Sequence, residues 1–392
     1  MSSGTRRSDA VIIGAGVIGA SIAYHLSRHK LRVTLLEQGG IAAGSSGACD
    51  GLVFLQSKKP GIHLELAMES RRRFERLAGN LPVDIEYRPS GGMVVAENEA
   101  QMGALARYVA AQQAIGLKVG LLDAARARRL EPQLAGELAG ATHCPQDGQV
   151  NPIALTLGFA LGARSRGVRL MTGTKVVGIE RTAGRVSAVA TSAGRIITDL
   201  VVNAAGARAA EIGALVDLEV PVRPRRGQII VTAAGPPLVT CCLLSAQYIA
   251  AKYDPDLAKR GGEGVSIEQT ESGNLLLGST REFVGFDKRT TPAGLRRIAA
   301  GTTRIIPALT SLPVIRSFAG LRPYTPDGLP ILGPVDGVPG FFMAAGHEGD
   351  GIALAPITGH LMAQRIAVGR SDIPLDAFNL SRFSTVAEAA HG

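Results

Sequence analysis

Three glycines follow an apolar run in "AVIIGAGVIGASIA", and a lone acid, Glu37, closes the next apolar run, "RVTLLE". Gly14, Gly16 and Gly19 have GxGxxG spacing, and the chemistry of that spacing is anion binding. The first glycine permits a tight turn, and the second lets a pyrophosphate approach the backbone. The third lets a helix pack close to a strand, and the helix N-terminus adds N–H donors and partial positive charge. Glu37, at the end of a second strand, can accept both hydroxyls of an adenosine ribose. Gln38 comes next, rather than an arginine, which disfavours a 2′-phosphate and hence NADP. A second reactive group lies far down the chain. Arg322 sits in "AGLRPYTPDGLPILGP", framed by Pro323, Pro326, Gly328 and Pro330. A guanidinium can grip a carboxylate through two parallel N–H···O bonds, and a stiff frame reduces the entropy lost on binding. The segment reads as a rigid loop, neither helix nor central strand.

The elements that must position these groups follow from apolar pattern and punctuation. "AVII" is a buried strand, and Ile18, Ile22 and Leu26 give the next helix its apolar stripe. A glycine- and serine-rich loop after Glu37, containing Ser45 and Ser46, can wrap a cofactor. Helices are expected over 62–79, within 101–116, in "DAARARRLEP", over 151–168, over 292–304 and at the C-terminal end. Strands are expected at about 168–172, 175–181, 185–191 and 194–198, with a mostly β stretch over 216–315. The alternation predicts an α/β protein. Its Rossmann-like nucleotide domain (1–84, 145–215 and 316–392) is interrupted by a mixed α+β substrate domain (85–144 and 216–315) built on an antiparallel sheet.

Composition narrows the function. The chain has 392 residues, 46% hydrophobic and 19% charged, as expected for a globular protein of more than one domain. The formal charge of +9 favours anionic ligands. Its arginines and lysines are dispersed, though, and the clusters "RRRFER" and "RPRRG" are short, so a solvated basic face is expected rather than a nucleic-acid interface. Cys49, Cys144, Cys241 and Cys242 have no CxxC or Cys/His ligand spacing, so no metal site is expected. Scattered thiols, no signal-peptide pattern and no long apolar run lead to the expectation of a cytoplasmic protein without an integral membrane segment. His25 and His29, one turn apart without a third ligand nearby, are expected on an exposed helix face.

Four segments together resemble the D-amino-acid oxidase, glycine oxidase and sarcosine oxidase family of FAD enzymes: "VIIGAGVIGASIA…LLE", "VVNAAGA", "AGLRPYTPDGLPILGP" and "AAGHEGDGIALAPITG". Within it, "SSGACDGLVFLQSKKPG" and "GNLLLGSTREFVGFD" look most like FAD subunits of multi-subunit, dye-linked dehydrogenases acting on proline, hydroxyproline or opines, and of hydrogen cyanide synthase. The resemblance implies FAD rather than NAD. Its cofactor contacts would fall on Gly14, Ala15, Gly16, Val17, Ile18, Gly19, Glu37, Gln38, Ser45, Ser46, Val176, Ala205 and Gly206, and on Gly346, Gly349, Asp350, Gly351 and Ile352. It implies that Arg322 holds a substrate carboxylate, with Tyr248, near the start of a substrate-domain strand, opposite; His347 is a further candidate contact. Residues before "TPD" include no cysteine, so the FAD is expected to be noncovalent. The implied reaction is oxidation of a CH–NH bond in a small amino or imino acid, with partner subunits carrying electron-transfer centres. A stand-alone oxidase using oxygen is the alternative, and a non-catalytic flavoprotein scaffold is a third. An extra "YDPDLAKRGGEG" (253–264) is expected to alter the substrate loop or to mark a subunit contact.

Overall fold

The computed structural model describes residues 6–253 and 264–383; most of the 253–264 insertion lies outside the described residues. The chain builds two large sheets. The six-stranded one places Ala10–Ile13 at its centre, between Val201–Asn203 and Val33–Leu36. Phe341–Ala345 and Arg169–Met171 continue it in parallel on either side, and Ile331–Pro334 adds an antiparallel edge. Its central strands are fully buried and mostly apolar, with only Thr34 and Asn203 polar, as expected of parallel strands covered on both faces. On one face the helix Val17–Leu26 lies among Pro152–Ser165, Gly351–Ala367 and, beyond it, Ile62–Ala78. Two serines fasten this layer: Ser21 donates to the Ala355 carbonyl at 2.8 Å, and Ser70 to that of Ala353 at 2.6 Å. The other face carries Val176–Thr182 and Arg185–Thr191, an antiparallel pair packed over Val11 and Ile13.

The eight-stranded sheet runs from the edge strand Val314–Tyr324 through Arg223–Thr232 to Gly120–Asp123 at the other edge. Every pairing is antiparallel except that of Cys242–Ser245 with Gly92–Ala96. The helix Pro292–Ile305, capped by Thr291, buries Ile298 and Ile305 against it. Most of the expected helices and strands sit where the punctuation puts them, and the fold is the α/β arrangement anticipated.

Three expectations need correction. The segment around Arg322 is not a loop: Val314–Tyr324 is an eleven-residue strand. Pro323 is tolerated because the strand lies at a sheet edge, where one row of backbone groups has no partner strand. The chain leaves this sheet only after Tyr324, later than residue 316. Tyr248 belongs to a helix, Ala246–Tyr253, entered directly from Cys242–Ser245. His25 is not on an exposed face; it packs among Tyr24, Phe159 and His360, and burial pushes its pKa down to about 3.

Gly19 sits where the first helix crosses the opening strand. A Cβ there would lie 1.9 Å from the Gly14 carbonyl oxygen, which belongs to backbone and cannot swing aside. Gly19→Ala should therefore lower stability by about 1–3 kcal/mol through overpacking, measured as a shift in the denaturant midpoint without change of slope.

Candidate active site

A cavity of about 650 Å³ runs from the opening glycine turn to Arg322. Its outer part is walled by Gly14, Gly16, Val17 and Ile18, by Glu37 and Gln38, and by Val176, Ala205 and Gly206. Glu37 is fixed by backbone: Oε2 accepts from Ala15 N at 2.9 Å and Oε1 from Gly39 N at 2.8 Å. Ser46 Oγ accepts from Val17 N at 3.0 Å, taking one free donor of the helix start. Ser45 donates to the Leu321 carbonyl, which ties this loop to the Arg322 strand. A helix N-terminus, a held carboxylate and a long cavity form a donor set suited to a dinucleotide. FAD fits these residues.

Ala15 and Gly19 lie behind this wall. Gly346 and Asp350 are likewise outside it, whereas His347, Gly349, Gly351 and Ile352 line it. The Asp350 carboxylate turns away from the cavity to Lys58 Nζ at 2.8 Å and His63 Nε2 at 3.1 Å. Lys58 also donates to the Phe54 carbonyl at 2.7 Å, which completes a buried polar knot under the turn. His347 Nε2 meets Thr358 Oγ1 at 3.1 Å, and burial lowers its pKa to about 3. The ring is neutral over the working range of pH.

Arg322 and Tyr248 share the inner end with Cys49, Asp50, Gly227 and Ile229. The Arg322 Nη1 donates to the Thr280 carbonyl at 2.9 Å and Nη2 to Ser279 Oγ at 2.6 Å. Gly227 makes room for the guanidinium: a Cβ there would meet Nη1 at 2.3 Å. Directly across the strands, a Cβ on Gly320 would meet the Ala48 carbonyl at 2.0 Å. Burial opposes the charge of Arg322, and nearby negative charge, chiefly that of Glu348 with Asp50, more than offsets it. Tyr248 is buried beneath Arg281, whose guanidinium carbon lies 4.1 Å from the ring centroid. Burial raises its hydroxyl pKa, so it stays a proton donor.

The family model of the FAD dependent oxidoreductases (DAO) matches residues 9–365. The chain belongs to that family. Hydrogen cyanide synthase subunit HcnC of Pseudomonas protegens is 34% identical over 96% of each chain. Glycine oxidase of Geobacillus kaustophilus is 33% identical over 96% of this chain and 98% of its own. The crystal structure of L-proline dehydrogenase from P. horikoshii superposes with a TM-score of 0.89, at 25% identity over 97% of this chain and 99% of that one. The protein is thus an FAD-dependent enzyme, and among its described residues no helix is long and apolar enough to cross a membrane.

Several groups that shape this flavoenzyme's site were not singled out from sequence. Ser279 and Thr280 hold Arg322. "RPRRG" is not a solvated basic face: Arg225 pairs with Glu348, and Arg226 with Glu282 at 3.0 Å and Asp287 at 3.1 Å. Asp50 also went unnoticed, because one acid in "GACDGL" carries no spacing signal. Behind it, Glu268 Oε2 accepts from Gly51 N at 2.8 Å. Burial and the Asp50 charge raise the Glu268 pKa from 4.5 to about 8.

Folded Glu268 therefore keeps its proton while the unfolded residue ionises near 4.5. Its contribution to stability is full below that value and is lost as pH rises toward about 8. Glu268→Gln, which keeps the acceptor for Gly51, should match the wild type in melting temperature near pH 4. It should exceed the wild type by a few degrees near pH 9, as followed by calorimetry.

Proposed function

We propose that this protein oxidises the CH–NH bond of a small amino or imino acid, as the flavin subunit of a multi-subunit dehydrogenase. The observation that carries this reading is Arg322, charged, held from behind by Ser279 and Thr280, and lining the inner end of the cofactor cavity. The guanidinium grips the substrate carboxylate and so fixes the direction of the α C–H bond. Tyr248 donates to the same carboxylate or borders the side-chain pocket. FAD, held noncovalently, supplies the acceptor for the hydride. The glycine turn and the start of the helix Val17–Leu26 would face its pyrophosphate, and Glu37 its ribose. The start of the last helix, where Gly351 and Ile352 line the cavity, would offer amides and a helix dipole to negative charge on the cofactor. His347, being neutral, orients rather than ionises.

The multi-subunit part of the proposal draws on likeness to HcnC and to an opine oxidase subunit of Agrobacterium tumefaciens, 27% identical over 96% of this chain. A cytoplasmic location accords with the four free thiols, which a reducing compartment preserves. The likeness to glycine oxidase favours a second reading, a stand-alone oxidase using oxygen. Oxygen consumption by the purified chain with glycine, sarcosine or D-amino acids would support that alternative, and flavin reduction without it would support the dehydrogenase.

Anaerobic flavin reduction screened against proline, hydroxyproline, glycine, sarcosine and opines tests the reaction class. Arg322→Ala should lower the second-order rate of reduction by about 100-fold or more, from the loss of two charge-assisted hydrogen bonds. Unchanged flavin bleaching in that variant would remove the carboxylate clamp.

A further inference from the structure

Arg322 shares the inner cavity with a carboxylate. Asp50 lines the same space, two residues beyond the Ala48 carbonyl that fits against Gly320. Its position is built rather than incidental. Gly51 fits against the Val150 carbonyl, where a Cβ would lie 1.9 Å away, and donates its N–H to Glu268. Ser266 Oγ donates to Asp50 Oδ2 at 3.3 Å. The strand opposite Ser266 offers Gly278, whose missing side chain leaves that hydroxyl its place: a Cβ there would meet Ser266 Oγ at 2.9 Å. Arg322 and Asp50 feel each other's charge, yet among the described residues neither forms an ion pair. A cation and an anion that border one cavity without closing on each other match a ligand carrying both charges.

We propose that Asp50 binds the ammonium group of a zwitterionic amino or imino acid and accepts its proton. This rests on the carboxylate clamp by Arg322 set out above. An N–H bond of the ammonium breaks and an O–H bond forms on an Asp50 oxygen. The electron pair stays on nitrogen, where it is needed to expel hydride from the neighbouring carbon, and no other co-reactant enters the step.

The surroundings suit a carboxylate that takes up a proton. Burial raises its pKa, while Arg322, the Ser266 hydrogen bond, Arg281 and Lys58 oppose the rise. Glu268, behind it, is itself protonated up to about pH 8, so the negative charge of the two carboxyls resides on Asp50. Tyr248 and Cys49, the remaining titratable neighbours, are both held in their neutral forms, chiefly by burial. A raised proton affinity narrows the gap to an ammonium group, which makes general-base transfer effective. The same feature defines the substrate class: amine-bearing carboxylates are favoured over hydroxy acids, which bring no cation to Asp50.

The test uses the flavin-loaded protein with Asp50→Asn, which keeps the shape and the acceptor for Ser266, and Asp50→Glu, which restores the charge. Acetate and 2-furoate, carboxylates without an amine, probe the Arg322 end through the flavin absorption change. Anaerobic reduction by the substrate found in the screen probes the amine end from about pH 6 to 10. Asp50→Asn should bind the amine-free carboxylates within about threefold of wild type. It should reduce flavin about 100-fold more slowly near neutrality, recover as the free amine appears above about pH 9, and regain part of its rate as Asp50→Glu. A wild-type pH profile in Asp50→Asn overturns the proposal. So does equal loss of acetate and substrate binding, which would make Asp50 only structural. If Arg322→Ala still binds acetate while Asp50→Asn shows the shifted profile, the clamp fails and the role of Asp50 stands.

Discussion

The guanidinium of Arg322 is charged inside a cavity wall, and much of the molecule answers to that constraint. Desolvating a cation is costly unless hydrogen bonds and opposite charges compensate. Ser279 and Thr280 satisfy its rear donors, and the carboxylates of Glu348 and Asp50 supply the compensating field. Side chains are absent where the guanidinium lies, at Gly227, and where the cofactor loop crosses its strand, at Gly320. Antiparallel pairing of Val314–Tyr324 with Arg223–Thr232 puts these two glycines opposite each other, so one register serves both needs.

The same strand pair also connects the site to the rest of the fold. Arg225, opposite Arg322, reaches Glu348 in the turn after Phe341–Ala345, and Glu348 N donates to the Pro323 carbonyl at 2.9 Å. Two residues on, Asp350 is held by Lys58, from the segment leading into Ile62–Ala78, and by His63 in the first turn of that helix. The short turn at the inner cavity is thus pinned by buried charges from the eight-stranded sheet and from the start of the helix Ile62–Ala78 with the loop before it. Such pairs contribute less to net stability than to uniqueness of geometry, since breaking one leaves an uncompensated charge. The turn sets where the helix Gly351–Ala367 begins, so that uniqueness also fixes the helix start at the cavity wall.

Legibility in the sequence varied with the range of the interaction. The glycine turn and Glu37 could be read because strand, helix and acid lie within one short βαβ unit. Helix Pro152–Ser165 could be read because Asn151 caps it and Pro152 opens it. The segment around Arg322 reads as a loop because its prolines and glycines mimic one; only the edge position in the eight-stranded sheet makes them compatible with a strand. Tyr248 was placed in the right region and the wrong element, since the apolar run before it ends in a helix that packs over Gly92–Ala96.

The sequence by itself determined the family, the cofactor and the presence of one framed arginine, because each rests on local spacing that folds the same way in any context of this kind. It could not determine what faces that arginine. Asp50, Ser279, Thr280 and Glu348 come from separate stretches of the chain, and no periodicity relates them to residue 322. Their meeting depends on sheet register and on where a loop crosses a strand without a Cβ in the way. The potential of the inner cavity, with both a cation and an anion in its lining, is therefore a property of the tertiary structure: charges act through space, and only the fold sets the distances between them.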